Sequence, residues 1–149
     1  MNKNKGVTLI ELIIVVAIIG ILTIIAVPAY IGQQKSAART EAYANLQNLR
    51  LLEEQFFAEA ASYVAGANTA AVMAALPGFK PGAGTNFTYA ITAAAGVGLP
   101  ASVPAPYAGV TAALNPVTTP CFIATATGNA GTRVAGDVFA IDCNNNRNF

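Results

Sequence analysis

Cys121, Cys143 and Glu11 are the residues whose types and positions raise a chemical question in this chain. Histidine is absent and cysteine occurs only twice, so a Ser/His or Cys/His nucleophile pair and a zinc site are excluded. Asp137 and Asp142 lie near one another. They would form an acid/base pair if they faced one cleft, although exposed strand ends are the plainer reading. Glu11 is the one charge inside a long apolar stretch. A charged carboxylate at mid-membrane costs about 2.5 to 3.5 kcal/mol on insertion scales, so its presence there requires a partner.

The element carrying Glu11 is a helix by composition. Leu12 to Ile31 contains no charge and is rich in Ile and Val. At about 1.5 Å per residue it reaches about 30 Å, the hydrocarbon thickness of a bilayer, which predicts a transmembrane helix. A secretory signal has an apolar region of roughly 7 to 15 residues and then a small-residue cleavage site, a pattern this run does not follow. A buried helix of a soluble core is the alternative, and so small a domain seldom needs one of this composition. Lys3 and Lys5 on one side are matched by Lys35 and Arg39 on the other, so flanking charge leaves orientation tied.

The helical pattern continues beyond Gly32. Ala42, Leu46, Leu49, Leu52, Phe56, Ala60 and Tyr63 recur at steps of three or four and share one face, while Arg39, Glu41, Gln47, Arg50 and Glu54 cover the rest. One helix from about Val7 to about Ser62 is expected, apolar all round in its first half and one-sided in its second. Tyr30, Tyr43, Phe56, Phe57 and Tyr63 lie along it. Core and interface packing explains these rings better than a stacked path for electrons.

The helix is expected to stop near Gly66, with Thr69 capping a short helix that reaches Leu76 before Pro77-Gly78. Phe87, Tyr89 and Ile91 alternate with Thr88, Ala90 and Thr92, the period of a strand. Phe122 to Thr127 and Asp137 to Asp142 are β-prone, and Gly128, Asn129, Gly131 and Gly136 between them suit an antiparallel hairpin. Gly96 to Pro120, with five prolines and no charge, reads as an ordered surface loop. The fold class is α+β: a long N-terminal helix packed on a small antiparallel sheet. At 149 residues there is room for one small domain. Eight Lys/Arg against seven Asp/Glu create no field of one sign, which disfavours a nucleic-acid binder.

Gly6-Val7-Thr8-Leu9-Ile10-Glu11-Leu12, followed by Ile13-Ile14-Val15-Val16-Ala17-Ile18-Ile19-Gly20-Ile21-Leu22, closely resembles the leader junction and N-terminal helix of type IV prepilins. The resemblance is close from Lys5 to Lys35, and the remainder matches the family only in layout. It implies that a membrane-embedded prepilin peptidase cuts after Gly6 on the cytoplasmic side and methylates the amino group of Val7. Residues 1–6 would be a cleaved leader, 7–31 the transmembrane and filament-core helix, and 32–149 the globular domain with the amphipathic half of the helix. Family members most often have Phe at the first mature position, so Val7 is a departure. The resemblance also breaks the charge tie, placing Lys3 and Lys5 inside the cell and the globular part outside.

Related filaments pair the glutamate at the position of Glu11 with the N-terminus of a neighbouring subunit. The local alternative is that Glu11 satisfies its own helix dipole or its own amine four residues back. Pro28 removes a backbone donor and clashes with the preceding turn, so the helix is expected to bend or loosen there. By resemblance, Gly20 to Pro28 would give up helicity when packed and let the subunit lengthen. In an oxidising compartment Cys121 and Cys143 are candidates for a disulfide, two free buried thiols being the alternative. In similar pilins such a disulfide bounds an exposed, variable C-terminal region, and the resemblance implies the same here for a segment that includes Arg133 and Asp137.

The function implied is that of a structural subunit of a type IV pilus. It would be held in the cytoplasmic membrane and polymerised through its N-terminal helix into an extracellular filament for adhesion, motility or DNA uptake. No catalytic residue, cofactor or metal is expected. The partners implied are copies of itself and other pilins, the prepilin peptidase, the assembly platform in the cytoplasmic membrane, and membrane lipid before assembly. Three alternatives stand beside it. A pseudopilin of a type II secretion system often binds calcium through clustered carboxylates. A single-span anchored binding module that never polymerises would keep Met1 to Gly6. An anchored enzyme would use Asp137 and Asp142.

Overall fold

Ile, Leu, Val and Ala dominate the chain from Leu9 onward, and with Pro28 as the one helix breaker the backbone runs as a single 52-residue helix, α1 (Leu9–Ala60). The computed structural model describes residues 6–82, 86–94 and 120–149. The surface loop expected from Gly96 to Pro120 therefore lies outside the described residues except for Pro120. Two compact units divide the chain, Met1–Ala37 and Ala38–Phe149.

In the first unit the apolar side chains of α1 are exposed all round, from Leu9 at 76% to Ile31 at 45%. This segment is long and apolar enough to cross a membrane.

In the second unit α1 becomes one-sided. Ala38, Ala42, Leu46, Leu49 and Glu53 are buried at steps of three and four, while Glu41, Gln47 and Gln55 face water. The buried stripe ends at Glu53, for Leu52 and Phe56 are half-buried and Ala60 is exposed.

The helix stops at Ala60 rather than near Gly66. Ala61 takes a left-handed conformation, φ 53°, and its N–H donates to the Phe57 carbonyl at 2.8 Å. Gly66 has another task. It forms an antiparallel bridge with Ile91, N–H to carbonyl at 2.9 Å one way and 2.8 Å the other. A Cβ at Gly66 would lie 2.8 Å from Val72 Cγ2 and 2.9 Å from Val72 N, so the packing of Gly66 against Val72 requires a residue without one.

The short helix α2 (Thr69–Ala75) is capped by Asn68 rather than Thr69, with Asn68 Oδ1 accepting from the Ala71 N–H at 2.9 Å. Thr69 is displaced from capping because its Oγ1 accepts from the Tyr89 N–H at 2.9 Å, tying α2 to the sheet.

Among the described residues three antiparallel strands form one sheet, in the order β1 (Phe87–Ala94), β2 (Cys121–Gly128), β3 (Val138–Asp142). Ile91 pairs with Ala124, and Thr125 with Ala140. On β1 the expected alternation holds, with Phe87, Tyr89 and Ile91 buried and Thr88 and Ala90 half-exposed. Leu46 and Leu49 of α1 join Val72, Phe79, Tyr89, Phe122 and Ile141 in one hydrophobic core. The Tyr89 hydroxyl, buried with its ring, accepts from Asn45 Nδ2 at 2.8 Å, so helix and sheet are joined by a satisfied polar contact as well.

Candidate processing and assembly site

Thr8 and Glu11 close the start of α1 upon each other. The Glu11 carboxylate accepts the Thr8 backbone N–H at 2.9 Å and the Thr8 hydroxyl at 2.8 Å, both through Oε2. The Thr8 Oγ1 in turn lies 3.3 Å from the Glu11 N–H, and the Thr8 carbonyl accepts the first helical bond from Leu12 at 3.2 Å. This is a capping box, in which a threonine cap and an acid three residues on satisfy each other's orphan donors. It supplies the local role that the sequence left open for Glu11.

The cap also sets the chain just ahead of the helix. Gly6, Val7 and Thr8 are non-helical and exposed, so the Gly6–Val7 peptide bond lies ahead of the first turn. A Cβ built on Gly6 meets nothing within 4 Å. The fold of this chain therefore makes no demand for glycine at position 6.

Gly20 and Pro28 sit within α1, which is helical through both. Pro28 has no N–H for the Ile24 carbonyl, and the Thr23 hydroxyl donates to the Gly20 carbonyl at 2.9 Å. Cys121 and Cys143 are joined in a disulfide with their Cα atoms 5.5 Å apart. It ties the first residue of β2 to the residue following β3, where the Cys143 N–H also donates to the Phe122 carbonyl at 3.2 Å.

The family model described as the prokaryotic N-terminal methylation motif matches residues 1–27. The type IV major pilin protein PilA of Myxococcus xanthus is 43% identical over 111 residues, covering 72% of this chain and 47% of that protein. A fimbrial protein of Pseudomonas aeruginosa is 42% identical over 67 residues, 45% of this chain and 44% of its own length. The type IV major alpha-pilin of Moraxella bovis is 73% identical over 30 residues, 20% of this chain and 19% of that protein.

These matches support the type IV pilin family.

The chain spans about half, or less, of the length of the curated relatives it matches. No solved structure matches it. Within this chain the remaining candidate residues are placed apart. Asp137 is held by Arg39 in a two-point ion pair, Nε to Oδ2 at 2.8 Å and Nη2 to Oδ1 at 2.9 Å.

Asp142 is fully buried, which corrects its reading as an exposed strand end. Its Oδ1 accepts the Asn146 N–H at 2.7 Å and its Oδ2 accepts Asn146 Nδ2 at 2.9 Å, so its charge is spent on folding residues 143–149 back along β3. Each aspartate thus has its own protein partner, and the two do not form an acid/base pair. Among the described residues no group of three or more metal-ligating side chains occurs.

Of the rings expected along the helix, Tyr63 lies beyond its end, and the contacts are local packing. Tyr43 stacks on Phe149 at 4.5 Å, Phe57 stacks on Tyr63 at 4.6 Å, and Tyr30 is exposed.

Sequence reasoning missed Glu53. It lies on the buried face of α1 between Leu49 and Phe56, fully covered, with Oε2 accepting the Val64 N–H at 3.1 Å. A carboxylate at the spacing of a core stripe, where the pattern otherwise calls for an apolar residue, was the available signal. Burial, partly offset by the Val64 bond and reinforced by the neighbouring Glu54 charge, pushes its pKa up to about 7.

Proposed function

We propose that this chain is a structural subunit of a type IV pilus, made as a prepilin and held in the cytoplasmic membrane by residues 7–31. Cleavage after Gly6 and methylation of Val7 then release it for polymerisation into an extracellular filament. The observation that carries this reading is the junction itself. An exposed, non-helical Gly6-Val7 stands directly before a capping box containing Glu11, and beyond it runs an apolar helix exposed on every side. A bare apolar helix of that length needs either lipid or other such helices around it. A filament subunit uses each in turn.

The peptidase would read the exposed, non-helical Gly6–Val7 bond, and the small residue at position 6 would answer to its site, since the chain's own packing accepts a Cβ there. Glu11 would serve twice. In the membrane pool the Thr8 N–H and hydroxyl hold its carboxylate; in the filament it would pair with the Val7 amine of a neighbouring subunit, strengthened by the apolar surroundings. Gly20 and Pro28 would mark the part of α1 that gives way when subunits pack, because the hydrogen bond missing at Pro28 makes that turn the least costly to open. The disulfide would bound the exposed C-terminal region. The remaining partners are the peptidase and the assembly platform of the membrane.

Intact-mass measurement of the native protein tests the pathway. A chain beginning at Val7 with one added methyl group is expected, together with filaments in sheared preparations. A mature protein that keeps Met1 to Gly6 and never enters fibres would overturn it. Within that test, Glu11→Ala is expected to insert and be cleaved, yet yield few filaments.

A further inference from the structure

We propose that Glu53 is a proton-operated latch on the turn that ends α1, holding residues 61–64 against the helix when neutral and loosening them when ionised. The turn needs holding. Ala61 sits at φ 53°, a left-handed conformation in which a Cβ is strained.

Consecutive acids of α1 grip the turn. Glu53 Oε2 accepts the Val64 N–H at 3.1 Å, and Glu54 Oε1 accepts the Tyr63 hydroxyl at 3.3 Å. Tyr63 then lies between Phe57 of α1 and Phe122 of β2, with ring centroids 4.6 Å and 4.9 Å away. Two residues beyond Val64, Gly66 bridges to β1. The turn is therefore the link through which the end of the helix is registered against the sheet.

Glu53 is poorly suited to carry charge there. Its Oε1 is buried without a hydrogen-bond partner, and no ion pair reaches it among the described residues. The titratable groups that face it are Glu54, next along α1, and Tyr63 from the turn. Neither brings a positive charge, and the ring of Phe122 behind Tyr63 brings none. An uncharged carboxyl keeps the Val64 contact at lower cost, whereas an ionised one is a buried charge with one orphan oxygen beside a second carboxylate. Ionisation favours admission of water at the turn.

The full-length chain in detergent micelles provides the test. Protection of the Val64 amide against hydrogen exchange, corrected for intrinsic rates, is expected to fall about tenfold or more between pH 5.5 and 8. Glu53→Gln keeps an oxygen for the Val64 N–H and cannot ionise, so its protection is expected to stay level. Glu54→Gln removes the neighbouring charge and should move the wild-type transition to lower pH. Direct NMR titration of the Glu53 carboxyl carbon stands independently of whether either variant folds. A midpoint near that of an ordinary glutamate, or the same pH-dependent loss of protection in Glu53→Gln, overturns the latch.

Discussion

Arg39 and Asp137, 98 residues apart in sequence, meet fork to fork, with both carboxylate oxygens within 2.9 Å of guanidinium nitrogens. The pair fastens α1 to the connection between β2 and β3, where the Asp137 carbonyl also accepts the Gly128 N–H at 2.8 Å. Asp137 is largely covered, whereas Arg39 stays substantially exposed and its guanidinium is held further toward the charged form by the aspartate. Arg39→Lys keeps the charge but not the fork. A modest drop in the thermal midpoint is expected, smaller in about 0.5 M salt than in about 0.05 M, where screening is weaker. An equal loss at both salt concentrations would assign the effect to packing of the arginine stem.

The capping box and the proposed intersubunit pair make different demands on Glu11. Glutamine still accepts from the Thr8 N–H and hydroxyl, so Glu11→Gln preserves the helix start while removing the charge. Normal membrane insertion with sharply reduced filament yield is expected, scored by electron microscopy of sheared cells. Thr8→Ala, in contrast, weakens the cap by about 1 kcal/mol and leaves the charge in place. Wild-type piliation in Glu11→Gln would confine the residue to its capping role.

Removing the Cys121–Cys143 bond frees a segment with a sequence separation of 22. Loop-closure entropy alone gives a loss of about 3 kcal/mol for Cys121→Ala/Cys143→Ala. Urea unfolding followed by circular dichroism of the sheet-containing part checks this. An unchanged midpoint would mean that the Asp142–Asn146 contacts already hold residues 143–149 in place.

Glu53 makes stability fall as pH rises. Its pKa in the folded chain, about 7, lies above the ordinary 4.5, so the folded state binds the extra proton between those values. No penalty exists below about pH 4.5, it grows through the interval, and it levels off above 7 at about 3 kcal/mol. The difference in unfolding free energy between Glu53→Gln and wild type is therefore expected to widen from pH 5 to pH 8. A difference independent of pH would show that Glu53 is charged in both states.

Most of the fold was legible in the residues. The apolar run, the stripe Ala42-Leu46-Leu49 and the alternation Phe87-Tyr89-Ile91 follow from periods of 3.6 and 2, which sequence displays directly. Gly66 and Thr69 were misjudged because each looked like local punctuation. Gly66 is needed for close packing on Val72, and Thr69 for the Tyr89 N–H, contacts that local spacing does not reveal.

By itself the sequence determined the resemblance to type IV prepilins, the long helix from about Val7, and the presence of three β-prone segments. These rest on contacts between residues a few positions apart, so spacing carries them. The tertiary structure decided which charges are used and which are stranded. Arg39 finds Asp137, Asp142 turns to Asn146, and Glu53 is sealed beside Val64 with one oxygen unanswered. Burial and long-range partners set the cost of a charge, and both come into being only when α1 closes on the sheet.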